Sequence, residues 1–247
     1  MSFPVRAITL DLDDTLWPFA PIGARIERVL DHWLRQHCPR TAARFPIPEM
    51  RALREQVFAE NASLLHDLTG LRKLSLVRAM ELSGDDPAHA EAAFEVFYAE
   101  RNRVEFYDDA EHALERLAAR VPVVALSNGN ADLRVIGIDH HFAFSLGARE
   151  HGAAKPEPSI FHAACDRLGL PREQVLHVGD HVDMDVAGAC RAGLRSCWLN
   201  RPDDADEVAS WPHADIRPDL EFTTLAALAD WLDTSHAATA APTLESA

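Results

Sequence analysis

The hydrophobic pattern begins with a short apolar run and then changes its period. Residues 7–12, Ala-Ile-Thr-Leu-Asp-Leu, form a nearly continuous apolar stretch, which is typical of a parallel strand buried on both faces. From about Pro21 to Val104, apolar residues instead recur at intervals of three and four, which predicts amphipathic helices. These intervals define four apolar stripes: Ile22 to Leu34, Met50 to Phe58, Leu71 to Met80 and Phe94 to Tyr98. They predict a small helical bundle inserted after the first strand.

Strands and helices alternate in the second half of the chain. Further strands are predicted at 121–126, 175–178 and 196–199, each rich in Val, Leu or aromatic residues. Helical spacing is found between them, around 110–117, 161–168 and 186–192. This alternation predicts an α/β fold with a doubly wound parallel sheet and right-handed crossovers.

These patterns predict two structural units and a tail. Residues 1–17 and 106–234 would form the Rossmann-like α/β core. Residues 18–105 would form an all-helical insertion of about four helices, which we call the cap. Residues 235–247 are rich in Ala, Ser and Thr, a composition that predicts a disordered tail.

Composition and charge limit the partners that we expect. The chain has 247 residues, 47% of them hydrophobic, but no apolar run approaches the roughly 18 residues of a membrane span. The net charge of −15 would repel nucleic acids and anionic membrane surfaces, so we expect neither as a partner. The four cysteines are scattered without a C-x-x-C pair, which predicts neither disulfides nor a zinc site. Because the N-terminus lacks a signal-peptide pattern, we expect a cytoplasmic protein, as a monomer or small homo-oligomer.

Polar residues follow the predicted strands, at the edge where α/β sheets bind their ligands. Asp11 and Asp13 end the first strand, Ser127-Asn128-Gly129 follows the second, and Asp180 follows the strand at 175–178. Lys155 lies between the last two, just before Pro156. Carboxylates at the end of a buried strand are costly without a cation, so the pattern favours a functional site.

Together these residues resemble the four motifs of the haloacid dehalogenase (HAD) superfamily. The motifs are Asp-x-Asp-x-Thr at 11–15, Ser-Asn-Gly at 127–129, Lys-Pro at 155–156 and Gly-Asp-x-x-x-x-Asp at 179–185. The resemblance spans roughly residues 5 to 232 and includes a helical cap between the first two motifs. It implies a capped phosphatase that acts on a small phosphorylated metabolite.

The resemblance assigns a chemical role to each motif. Asp11 would be the nucleophile that forms an aspartyl-phosphate, and Asp13 the general acid and base. Ser127 would hydrogen-bond a phosphoryl oxygen, and Lys155 would offset the negative charge. Ser127, Thr15, Asn128 and Gly129 are also expected to bind the substrate, although Thr15 could instead close the loop through hydrogen bonds from its side chain to the backbone.

A magnesium ion is implied by the same motifs. Its ligands would be Asp11, the backbone carbonyl of Asp13, and Asp180, because Mg²⁺ prefers oxygen ligands. The second acid of the last motif is Asp185 or Asp183; the following Val186-x-Gly188-Ala189 favours Asp185.

Finer features resemble the bacterial flavin mononucleotide and riboflavin-pathway phosphatases. These features include the cap segment 66–72, from which His66 and Arg72 would contact the substrate. Arg72 would suit a second anionic or stacking feature of the substrate, although it could instead pair with Asp67. The alternatives are a phosphomutase, a haloacid dehalogenase and a non-catalytic binding module. A dehalogenase would need neither Asp13 nor a metal at Asp180, and a binding module would be expected to have lost Asp11 or Lys155.

Overall fold

The centre of the protein is a six-stranded parallel sheet with the strand order β3-β2-β1-β4-β5-β6. The computed structural model describes residues 3–202 and 207–240. The three central strands β1, β2 and β4 are buried along their whole length. The strands are β1 (Ala7–Leu10), β2 (Val123–Ser127), β3 (Phe144–Gly147), β4 (Val175–Gly179), β5 (Arg195–Leu199) and β6 (Leu220–Phe222). The predicted doubly wound α/β fold is confirmed.

The cap segment 18–105 is helical, as predicted, but it contains one more helix than the four stripes indicate. Pro39–Arg44 forms a separate short helix, which the periodicity missed because six residues complete fewer than two turns. The third stripe ends at Gly84, whose φ of 77° is the left-handed conformation that closes many helices. The cap helices are α1 (Phe19–His37), α2 (Pro39–Arg44), α3 (Ile47–Glu60), α4 (Leu68–Ser83) and α5 (Ala90–Arg101).

Helices of the core lie between and after the strands. A π-helical turn, Val182–Ala187, leads directly into α10. The core helices are α6 (Ala110–Ala118), α7 (Leu133–Ile136), α8 (Ala148–His151), α9 (Pro158–Leu168), α10 (Gly188–Ala192) and α11 (Leu225–Ala240). Among the described residues, no helix is both long enough and apolar enough to cross a membrane.

Two differences from the prediction lie at the sheet edges and at the tail. Strands β3 and β6 have three or four residues of mixed exposure, so they carry no continuous apolar run. Helix α11 extends through Ala240, so it includes the first six residues of the predicted tail, where alanines favour helix. Residues 241–247 lie outside the described part of the chain.

One apolar core connects the sheet to the cap. It contains Ile8 and Leu10 of β1 together with Ile22 and Ile26 of α1. At the first crossing between core and cap, Trp17 is fully buried, with its ring edge-on to Phe106 at 5.5 Å. This packing at Trp17 fixes the position of the residues that follow β1, at the boundary between the core and the cap.

Candidate active site

Lys155 connects two of the predicted acids at the carboxyl edge of the sheet. Its Nζ lies 2.6 Å from Asp11 Oδ1 and 2.6 Å from Asp185 Oδ1, and the residue is 4% exposed. Burial lowers the pKa of Lys155, but the two carboxylates outweigh that effect and raise the pKa above its ordinary value. The lysine is therefore charged, and it draws together residues that are far apart in the sequence.

The acids at this edge carry more negative charge than Lys155 offsets. Carboxylate oxygens of Asp11, Asp180 and Asp185 all lie within 4.8 Å of one another. Burial, together with Asp185 and Asp180, raises the pKa of Asp11 well above its ordinary value. Burial, followed by the charges of Asp185 and Asp14, raises the pKa of Asp180 to about 7. The three acids offer only oxygen ligands, and two of them have raised pKa values. Such a group of ligands fits a hard divalent cation such as Mg²⁺.

Asp185, rather than Asp183, belongs to this acid cluster. Besides Lys155, its side chain accepts hydrogen bonds from the backbone N–H of His181 at 3.0 Å and from His177 Nε2 at 3.1 Å. Lys155 and His177 hold the pKa of Asp185 below its usual range in spite of burial. Asp183 lies at the surface, where it contacts His213 Nε2 at 2.8 Å.

His177 is a buried residue of the site that the sequence analysis missed. It lies within β4, where Thr9 Oγ1 of the neighbouring strand is 2.9 Å from its Nδ1. Burial lowers its pKa. A polar side chain within a strand that is otherwise apolar was the available signal. Next to it, Gly179 leaves room for Asp185, since a Cβ there would lie 2.4 Å from the Asp185 carboxyl carbon.

Asp13 faces the cap rather than the acid cluster. Its Oδ1 accepts a hydrogen bond from Trp17 Nε1 at 2.8 Å, and Arg101 Nη2 donates to both of its oxygens, at 2.9 and 2.6 Å. Arg101 is the last residue of α5, so the cap supplies this contact. The sequence analysis missed Arg101, although it continues the helical spacing of Phe94 and Tyr98. A charged residue on an apolar stripe was the available signal.

The loop after β2 forms a tight turn beside Asp13. Ser127 Oγ accepts a hydrogen bond from the Gly129 backbone N–H at 3.0 Å. Gly129 has no space for a side chain, because a Cβ would lie 2.9 Å from Asp13 Oδ2. Asn128 is directed to the backbone of Lys155, where it donates to the carbonyl at 2.9 Å and accepts from the N–H at 2.7 Å. The side chain of Asn128 thus holds the Lys155 backbone, and its predicted contact with the substrate stays a prediction.

Thr15 also has a different contact from the one predicted. It is fully buried, and its Oγ1 donates to Asp180 Oδ1 at 3.2 Å. The turn before it contains Asp14 in the left-handed conformation, at φ 57°, which Asp tolerates better than most residues. Thr15 therefore orients an acid of the cluster, and its contact with the substrate stays a prediction.

A cleft of about 850 Å³ opens between the cap and the core next to Ser127 and Gly129. Asn130 of the core donates to Thr69 Oγ1 of α4 across this cleft, at 3.1 Å. Lys73 also lines it from α4. Its aromatic lining consists of Phe94, Tyr98, Phe142 and Phe144.

The two predicted cap contacts, His66 and Arg72, are not among the described residues that line this cleft. Arg72 lies over the Phe97 ring at 4.5 Å and lines a separate groove that also includes Glu27 and Arg54. Burial and the nearby Arg54 lower the pKa of Arg72 to about 9. On α4, successive residues point about 100° apart, and the neighbouring Lys73 lines the cleft instead. Contact of His66 and Arg72 with the substrate therefore stays a prediction.

Comparisons with known proteins agree with this arrangement. The sequence profile of the haloacid dehalogenase-like hydrolases matches residues 5–193. The 5-amino-6-(5-phospho-D-ribitylamino)uracil phosphatase YigB of Escherichia coli is 34% identical over 91% of this chain and 94% of its own length. The phosphoserine phosphatase of Thermus thermophilus is 31% identical over 71% of this chain and 70% of its own length.

A solved structure with a different name is also similar. The 2-haloacid dehalogenase from Pseudomonas syringae pv. Tomato superimposes with a TM-score of 0.84 at 35% identity, covering 93% of this chain and 99% of that chain. The similar proteins thus include phosphatases, which act on phosphorus, and a dehalogenase, which acts on carbon. The distinction between phosphate-ester hydrolysis and dehalogenation therefore rests on the side chains around Asp11.

Proposed function

The chain belongs to the haloacid dehalogenase-like hydrolase family, and we propose that it is a magnesium-dependent phosphatase acting through an aspartyl-phosphate on Asp11. The observation that carries the proposal is the position of Asp13. This second acid lies two residues after Asp11 and is bound by Trp17 and Arg101 beside the Ser127-Gly129 turn. Attack on the carbon of a haloacid releases halide, which needs no proton, whereas the alkoxide leaving an ester does.

Asp11 is the nucleophile in this mechanism. Lys155 donates to its Oδ1, so we assign the attack on phosphorus to Oδ2. The new bond joins Oδ2 to phosphorus as the bond from phosphorus to the ester oxygen breaks. Lys155 stays charged at neutral pH and offsets the negative charge that Asp11 and the phosphate bring together.

Asp13 moves the proton in both halves of the reaction. In its protonated form it donates that proton to the departing ester oxygen, which leaves as an alcohol. As a carboxylate it then removes a proton from the water that hydrolyses the aspartyl-phosphate, and free phosphate is released. Ser127 Oγ would donate a hydrogen bond to an oxygen of the transferred group.

Magnesium would be held by Asp11, Asp180 and the backbone carbonyl of Asp13, with Asp185 next to these ligands. When bound, it supplies positive charge to the phosphate oxygens. It would also allow Asp11 and Asp180 to ionise, against the effect that burial has on their pKa values.

For the substrate, we propose flavin mononucleotide or a riboflavin-pathway phosphate ester. Two observations support this choice. The Escherichia coli relative is named for a ribitylaminouracil phosphate. The cleft beside Ser127 has about 850 Å³ and an aromatic lining, within the roughly 300–1,000 Å³ of small-molecule sites. Such a cleft would hold a heterocyclic ring at the far end of a phosphorylated chain.

The test is a comparison of purified protein on two kinds of substrate. One arm measures phosphate release from a panel of phosphorylated metabolites that includes flavin mononucleotide and the ribitylaminouracil phosphate. A second arm measures halide release from 2-haloacids, since a dehalogenase-named structure is 35% identical. Phosphate release that stops on chelation and returns with Mg²⁺ supports the proposal. Metal-independent halide release without phosphate release contradicts it, and an isomeric ester without free phosphate would indicate a mutase.

A further inference from the structure

Arg101 has a hydrogen-bonding group that the described protein does not use. The residue is 2% exposed, yet its Nη1 is buried without a hydrogen-bond partner among the described residues. The contact with Asp13 uses only Nη2, which reaches both carboxylate oxygens. A guanidinium usually pairs with a carboxylate through two nitrogens, and a buried donor without an acceptor is costly. The guanidinium therefore has donor capacity that its contact with Asp13 does not use.

The guanidinium lies beside the turn that we expect to hold the phosphate. A Cβ built on Gly129 would be 3.1 Å from Arg101 Nη2, 2.9 Å from Asp13 Oδ2 and 3.3 Å from Ser127 Oγ. These three groups therefore surround one backbone position. A phosphate that reaches Ser127 and Asp13 comes within reach of Arg101.

We propose that Arg101 is a phosphate-binding residue supplied by the cap, with its guanidinium donating to an oxygen of the transferred phosphoryl group. The proposal rests on the phosphatase function given above. It also bears on the local charge, because the acid cluster of Asp11, Asp180 and Asp185 contains one lysine, and the carboxylate of Asp13 beside it is bound by Arg101. A divalent cation and Arg101 together balance these charges before the phosphate dianion enters.

Because Arg101 ends α5, it links phosphate binding to the position of the cap. Its guanidinium lies 5.3 Å from the Phe19 ring at the start of α1, so both crossings between cap and core meet at this point. The next residue, Asn102, accepts a hydrogen bond from the backbone N–H of Asp132 of the core at 2.8 Å. A cap displaced from the core would take the guanidinium away from the phosphate.

Binding of inorganic phosphate, the reaction product, tests the proposal without relying on turnover. Calorimetric titration in the presence of MgCl₂ would compare the wild type with Arg101→Ala and Arg101→Lys. We expect the dissociation constant to rise about tenfold to a hundredfold in Arg101→Ala, the loss typical of a hydrogen bond to a charged group. Arg101→Lys keeps the charge and should fall between the two.

Arg25→Ala is the matched control at the same end of α5. Arg25 donates to Glu100 Oε2 at 2.9 Å and to the Arg103 carbonyl, outside the cleft. We expect this variant to bind phosphate as the wild type does. Circular dichroism and the melting temperature check that each variant is folded.

An Asp13→Asn background separates contact with phosphate from neutralisation of Asp13. If Arg101 binds phosphate, adding Arg101→Ala to Asp13→Asn still weakens phosphate binding at least tenfold. If Arg101 only neutralises Asp13, the added change has no effect and the proposal is overturned. Equal phosphate affinity of Arg101→Ala and wild type, or no phosphate binding by the wild type, also overturns it. An enzyme that hydrolyses no ester, yet binds phosphate through Arg101, contradicts the phosphatase function and leaves this inference standing.

Discussion

The side-chain amide of Asn128 makes two hydrogen bonds with the backbone of Lys155. It donates to the Lys155 carbonyl at 2.9 Å and accepts from the Lys155 N–H at 2.7 Å. The loop after β2 thus fixes the backbone that carries the buried lysine. Because Lys155 in turn contacts Asp11, Asn128 is linked to Asp11 through this lysine.

We therefore expect Asn128→Ala to lower kcat more than it raises KM. Lys155 would lose its two backbone anchors, and the reaction depends on a correctly placed ammonium. The free energy of unfolding should also fall by about 1–3 kcal/mol, because two hydrogen bonds are lost. Steady-state kinetics and urea unfolding measure the two effects. A rise in KM alone, with normal stability, would assign Asn128 to substrate binding.

Replacing Asp11 by Asn should abolish turnover and leave the fold intact. The amide is a poor nucleophile, so no aspartyl-phosphate can form. The metal-free variant should be at least as stable as the wild type, because a buried carboxyl whose pKa burial raises has been replaced by a neutral group. Phosphate release and thermal unfolding check the two expectations. Substantial remaining activity would contradict the assignment of Asp11 as the nucleophile.

The pKa of Asp180 predicts how the metal-free protein responds to pH. Burial and nearby carboxylates raise it to about 7, from 3.8 in the unfolded chain. Between these values Asp180 binds more protons in the folded state than in the unfolded state, so its contribution to the stability of the metal-free protein should fall as pH rises from about 4 to about 7. Asp180→Asn should remove this part of the dependence of stability on pH.

Added magnesium should reverse the same trend, since a cation favours the ionised acid. Melting temperatures between pH 5 and pH 8, with and without MgCl₂, provide the measurement. Asp183→Asn is the matched control, because Asp183 is a nearby exposed acid in the π-helical turn that follows Asp180. A slope that is the same in Asp180→Asn and in the wild type would contradict the assigned protonation.

The sequence alone was sufficient to predict the site residues that lie at strand ends. Asp11, Ser127 and Asp180 follow buried strands, and parallel strands bring their carboxyl ends to one edge. Arg101 was not predictable in this way, because its partner Asp13 is 88 residues away and depends on how the cap packs. His177 was missed for a related reason, since its partner Thr9 is on a strand that only the sheet order makes a neighbour.

The orientation of α4 gives the last prediction, in which adjacent basic residues serve as test and control. Lys73 lines the cleft beside Ser127, with its Nζ 2.6 Å from Glu91 and 4.5 Å from the Phe94 ring. Arg72 faces the groove on the other side of the helix, near Glu27. A cation in the cleft can contact the part of the substrate that lies beyond the phosphate, whereas one in the groove cannot.

We expect Lys73→Ala to raise KM about tenfold for the preferred metabolite, the size of one lost contact to a charged group. Hydrolysis of a small generic ester such as p-nitrophenyl phosphate should change little, because that substrate is too small to reach α4. Arg72→Ala should leave the ratio of kcat/KM for the two esters unchanged, although it removes the same charge from the same helix. If instead Arg72→Ala changes this ratio and Lys73→Ala does not, the segment 66–72 contacts the substrate after all, and α4 must turn or shift when the substrate binds.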